Sequence, residues 1–155
     1  DVRGLTAVPW QTDVMALIVA PDHPFACDTQ PIDPKRLQDE IMIVREPGSG
    51  TREVVAQALA AHGIEPTRTL EIGSTEAIKQ VVAAGVGVSI VSEAAVADQV
   101  EQGRLKLIQI QDVTIARSLW RLTSPGRVVM PAARIFEKML SDRKAFPSEP
   151  VLTII

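Results

Sequence analysis

The 155-residue chain is 46% hydrophobic and carries 16 Lys and Arg against 19 Asp and Glu, a net charge of −3. That is enough apolar material for one substantial core or two small subdomains. The negative balance argues against a nucleic-acid surface, which needs clustered cations. One cysteine, Cys27, and two distant histidines, His23 and His62, exclude a disulfide framework and a Cys/His metal site, and no apolar run approaches membrane-spanning length.

In chain order, residues 1–12 are mixed, with Leu5, Val8 and Trp10 as scattered apolar anchors. Val14 to Ala20 is a continuous apolar run stopped by Pro21, which suits a strand buried on both faces as in parallel sheets. The Pro21–Pro24 stretch is a turn, and His23 within it has a structural reading. Asp33 and Pro34 open a short helix as N-cap and first residue. Ile41 to Val44 reads as a strand. It leads into Arg45-Glu46-Pro47-Gly48-Ser49-Gly50-Thr51-Arg52, and a helix runs from Thr51 to His62 with Gly63 as its C-cap. Arg68 to Ile72 is the next strand, and Gly73-Ser74-Thr75-Glu76 turns into a helix marked by Ile78, Val81 and Val82. A strand over Val88–Val91, a weaker helix over Ala94–Val100, and strands over Leu105–Ile110 and Ser118–Thr123 follow. The last helix carries the stripe Ala132, Ile135, Phe136, Met139 and Leu140, most simply read as core packing. Val151–Ile155 could add a strand. This alternation points to an α/β fold with a mostly parallel sheet.

The Arg45–Arg52 stretch carries the strongest chemistry. A helix start leaves backbone N–H groups unpaired and adds partial positive charge. Gly48 and Gly50 permit a tight bend, and Ser49 and Thr51 supply hydroxyls, so Gly48, Ser49, Gly50, Thr51 and Arg52 form a candidate cradle for a small anion. The competing reading is a capped helix start. Arg52, a cation in the first turn, calls for a carboxylate (Glu46 or Glu53) or an anionic ligand. Ser74 and Thr75 are secondary candidates, with simple N-capping as their leading reading. No catalytic residue is expected: Ser49 lacks the Gly-x-Ser-x-Gly spacing of a nucleophile elbow, and neither histidine is an evident base partner.

Four features resemble the effector-binding domain of LysR-type transcriptional regulators. They are Met15–Ala26, Arg45–Arg52, Ser74–Ser89, and the spacing onward to Trp120 and the last helix. The resemblance implies a type II periplasmic-binding-protein-like fold, two Rossmann-like lobes joined by crossing hinge strands, with the first lobe incomplete here. Residues 1–14 would close a first-lobe segment, 15–117 would form the second lobe, and 118–155 would return to the first lobe and a tail. It further implies a cytoplasmic bacterial regulator that binds a small anionic effector, without catalysis or a cofactor, and forms a dimer or tetramer. DNA would be bound through an N-terminal winged helix-turn-helix absent from this chain, with no membrane partner. The chain begins at Asp1 and reads as mid-protein sequence, so a fragment is expected. A transporter's solute-binding protein, or an enzyme on the same fold, is the alternative.

Overall fold

The computed structural model describes residues 4–126 and 130–142. The chain divides into two compact units, Val14–Arg117 and Asp1–Asp13 with Ser118–Ile155. Two strands, β1 (Thr6–Val19) and β6 (Ile115–Thr123), contribute residues to both units and pair with one another.

Within Val14–Arg117 the order is β2 (Ile41–Val44), α1 (Gly50–Ala61), β3 (Arg68–Glu71), α2 (Thr75–Ala83), β4 (Ser89–Ser92), α3 (Glu93–Glu101) and β5 (Lys106–Ile108). β2 and β3 pair in parallel, Val44 opposite Glu71. A parallel bridge from Met42 to Val88 extends this sheet, with Ile43 N–H donating to Val88 O at 2.8 Å and Val88 N–H to Ile41 O at 2.9 Å. Gly87 is required for that approach, because a Cβ there would lie 2.3 Å from the Ile41 carbonyl oxygen. The strand–helix alternation thus yields parallel β2, β3 and β4, as the sequence pattern predicts.

The expectation of a mostly parallel sheet needs correction at β1. This strand lies between β4 and β5 and is antiparallel to both. A helical crossover through α3 dictates that β4 and β5 run in the same direction, but it does not dictate the direction of a strand inserted between them. β1 also begins at Thr6, inside the stretch that reads only as mixed, because its pairing with β6 is a long-range property.

Two apolar clusters cover the faces of these sheets. One contains Leu17, Val19, Leu37, Met42, Val55, Leu59 and Ile64, and the other Ile18, Ile43, Ile78, Val82, Val96 and Leu105. Adjacent residues of β1 and β2 belong to opposite clusters, as strand alternation requires. Lys79, nearly buried, ties α2 to α3 by donating to Ala95 O at 3.1 Å, and pairs with Glu76 at 2.6 Å.

Local signals hold where the chemistry is local. Asp33 caps a 3-10 helix, Pro34–Asp39, by accepting from Lys35 N–H at 2.9 Å. His23 Nδ1 accepts from Phe25 N–H, and His62 meets Ala58 O at the end of α1, so both histidines have structural roles. Gly63 takes φ +68° just past that helix.

In the other unit, α4 (Pro131–Asp142) bears the predicted stripe, but its residues are not core. Ile135, Phe136 and Met139 are each at least 60% exposed. Helical periodicity identifies the face suited to burial, not whether a covering layer is present. The strand expected over Val151–Ile155 lies outside the described residues.

Candidate functional site

β2 and β3 are adjacent and parallel, so the turns after Val44 and Glu71 leave the same carboxyl edge of one sheet. Ligand sites of open α/β sheets favour this edge. α1 and α2 start from these two turns, and their starts are built differently.

At α1, Gly48 adopts φ +85°, a left-handed value that glycine tolerates without strain. Ser49 N–H closes the turn on Glu46 O at 3.2 Å, and Glu53 N–H donates to Ser49 O at 3.1 Å. Ser49 holds the N-cap position, yet its hydroxyl makes no capping bond. Among the described residues, no acceptor meets the N–H groups of Gly50, Thr51 or Arg52. Open space surrounds the positions a Cβ would take at Gly48 and Gly50.

At α2, Ser74 Oγ accepts from Ala77 N–H at 3.4 Å and serves as the cap. Thr75 Oγ1 accepts from Arg45 Nη1 at 3.1 Å. Ser74 therefore acts as the cap, as the capping reading of this turn predicts, while Thr75 accepts from Arg45 and keeps its hydroxyl proton.

Arg45 binds the two carboxylate oxygens of Glu46 through Nε and Nη2, both at 2.7 Å. With its third nitrogen on Thr75, it links the β2–α1 turn to the first turn of α2. This hydrogen-bonded pair holds the Glu46 carboxyl at about 2, well below the usual carboxylate range, with its own backbone N–H assisting. Arg45 is raised in turn, chiefly by the bond to Glu46.

The carboxylate partner of Arg52 is neither Glu46 nor Glu53. Its Nη1 donates to Glu71 Oε2 at 3.0 Å and to Arg45 O at 2.9 Å, anchoring α1 to the end of β3. Strand register places Glu71 there, 19 residues on, so local spacing gives no hint of it. Arg117 of β6 is likewise absent from the sequence candidates. It donates to Thr51 Oγ1 at 3.2 Å across 66 residues of chain. That donation occupies a lone pair of Thr51 and leaves the hydroxyl proton free to point elsewhere.

The turn, the α1 start and their order in the fold can be set beside known proteins. A family model described as the LysR substrate binding domain matches residues 1–145. The chain belongs to the LysR substrate-binding domain family. As a LysR substrate-binding domain it has the type II periplasmic-binding-protein-like fold. It is 30% identical over 151 residues to the RuBisCO operon transcriptional regulator of Acidithiobacillus ferrooxidans, covering 95% of this chain and 48% of that protein. It is 36% identical over 131 residues to the HTH-type transcriptional regulator CbbR of Xanthobacter flavus, covering 83% of this chain and 39% of that one. The chain thus spans half or less of the length of these regulators. Among solved structures, the regulatory domain of CcmR from Synechocystis PCC6803 in complex with 2-PG matches at a TM-score of 0.76. That match has 31% identity and covers 88% of this chain and 65% of that one.

Among the described residues of this LysR domain, no group of His, Cys, Asp and Glu could hold a metal ion, and no helix is long and apolar enough to cross a membrane.

Proposed function

We propose that this domain is the ligand-sensing part of a LysR-type transcription factor and that it binds a small anionic metabolite at the start of α1. Gly48 and Gly50 would let the ligand approach the backbone. The N–H groups of Gly50, Thr51 and Arg52 and the hydroxyls of Ser49 and Thr51 would donate to it, and Arg52 would brace the turn through Arg45 O and Glu71. The observation that carries this reading is the contrast between the two helix starts. Ser74 is spent on capping, whereas the Ser49 hydroxyl, in the equivalent place on α1, caps nothing. Donors aimed from a helix N-terminus suit an oxyanion.

The similarity to the CcmR regulatory domain, solved with 2-PG, supports a small ligand of that kind. The matching RuBisCO operon and CbbR regulators support a sensing role over a catalytic one. In the longer protein, the effector would act by binding one arrangement of the regulator more tightly than another, since equal affinity shifts nothing. Operator DNA would be contacted by a winged helix-turn-helix elsewhere in that protein, which would work in the cytoplasm as a dimer or tetramer.

Isothermal titration of 2-PG and of inorganic phosphate into this chain tests the site. Saturable heat with one ligand per chain, lost in a Gly50→Pro variant that removes one donor and seals the turn, is the expected result. Heat from both ligands indistinguishable from dilution, in wild type and variant alike, would contradict it.

A further inference from the structure

One flank of α1 leaves a groove beside the sheet, next to the buried Val55 and Leu59. Arg52, Val55, Ala56, Leu59 and Ala60 fall on one side of the helix, facing Met42 and Val44 of β2 and Thr69 of β3. Alanine at 56 and 60 and threonine at 69 put short side chains on both walls beside the buried Val55 and Leu59. The result is a cavity of about 270 Å³. Ile64, Glu65 and Pro66 close one end, and Arg45, Thr51 and Arg52 stand at the other. Ala56, Ala60, Glu65 and Thr69 on its rim are exposed, so the space is a groove open to solvent, and a mostly apolar concavity with one charged group at its end is the ordinary form of a small-ligand site.

Its dimensions and chemistry define that occupant. From Thr51 to Ala60 the helix rises about 14 Å, so the cavity is elongated along α1. An apolar cavity of about 150 Å³ holds benzene, which by proportion allows about ten non-hydrogen atoms here. The apolar walls are aliphatic, with no aromatic ring among them. At the Arg52 end, the bonds to Glu71 and Arg45 O both use Nη1. Among the described residues, no acceptor meets Nε or Nη2. A carboxylate fits that remaining edge of the guanidinium.

We propose that this groove is a second ligand site, taking a linear aliphatic monocarboxylate of about ten non-hydrogen atoms, its chain along the flank of α1 and its carboxylate on Arg52. The groove adjoins the proposed anion cradle and shares Thr51 and Arg52 with it, but its body is apolar, lies along the flank of the helix and requires neither Ser49 nor the Gly48 turn. Ala56 and Ala60 lie outside the cradle, so octanoate binding that responds to them is decided separately from the 2-PG titration.

Octanoate, with ten non-hydrogen atoms, is the probe, and octan-1-ol is its uncharged counterpart. Isothermal titration into the wild-type chain is expected to give saturable octanoate binding, about tenfold tighter than octan-1-ol. Ala56→Leu/Ala60→Leu, which fills the cavity from two exposed helical positions, is expected to weaken octanoate at least tenfold. Arg52→Met is expected to remove the preference for octanoate over octan-1-ol while leaving octan-1-ol binding in place. A readout needing no variant is methyl NMR of the wild-type chain, in which Met42, Val55, Leu59 and Ile64 shift with octanoate while Ile18 and Val82 do not. Absence of saturable octanoate binding, undiminished binding by the double-leucine variant, or methyl shifts confined to other residues would each overturn the proposal.

Discussion

The two units use similar apolar residues to opposite ends. In Val14–Arg117, side chains such as Leu17, Ile18, Leu37, Ile78 and Leu105 are shut off from water, and two clusters cover both sheets. In the other unit, Trp10, Trp120 and Leu122 are more than 40% exposed, and α4 turns Ile135, Phe136 and Met139 outward. Among the described helices α4 is the most strongly amphipathic, yet none of its residues 131–140 is buried. Amphipathicity is a statement about one surface, whereas stability requires a second surface to meet it.

Paired truncations measure how differently the two units use their apolar residues. Leu59→Ala removes a side chain 3% exposed beneath α1 and is expected to cost about 2–5 kcal/mol. Ile135→Ala removes one 63% exposed and is expected to stay within about 0.5 kcal/mol. Urea melts of this chain followed by far-UV circular dichroism measure both. Equal costs would mean that α4 is buried in solution, by a second copy of the chain or otherwise, and the contrast between the units would fail.

A smaller effect, confined to the packed unit, tests the ion-pair chain at the sheet edge. Hydrogen bonding from Arg45 lowers Glu46 to about 2 in the folded chain, so the pair's contribution is fully present above the ordinary carboxylate value of 4.5. That contribution is lost as pH falls through about 2. Arg45→Met should therefore move the Glu46 carboxyl midpoint up towards 4.5 in an NMR titration. The stability gap between variant and wild type should be constant above about pH 5 and should narrow between 4.5 and 2. A Glu46 midpoint that stays near 2 in the variant would show that backbone bonding, not Arg45, holds it down. Glu46 is well exposed, so the diagnostic quantity is the midpoint rather than the energy.

What could be read in the sequence follows the range of each interaction. Asp33 before Pro34, Gly63 after α1 and Ser74 before α2 act within a few residues of themselves, and their roles as caps and stops are visible in the string. The α/β alternation and the Arg45–Arg52 turn were visible for the same reason. Arg52 and Glu71 meet only because β2 and β3 pair in parallel, and Arg117 reaches Thr51 only because β6 returns to that helix start. The mixed look of residues 6–12 hid a strand whose pairing partner begins over a hundred residues later. The stripe of α4 has the same period whether or not another layer covers it, so only the expectation of an incomplete first lobe, and not the stripe, points to the exposure of Ala132–Leu140.

The two serine-led helix starts do different work, and exchanging each serine for alanine separates their roles. Ser49→Ala should lower affinity for the anionic ligand about ten- to a hundred-fold, the cost of one hydrogen bond to a charged group, and change unfolding free energy by less than about 0.5 kcal/mol. Ser74→Ala should lose about 1 kcal/mol of stability with its Ala77 N–H bond and leave affinity unchanged. Titration of 2-PG beside urea melts of both variants reads out the four numbers. Stability lost and affinity kept in Ser49→Ala would make the α1 start an ordinary capped turn and rule out the anion cradle.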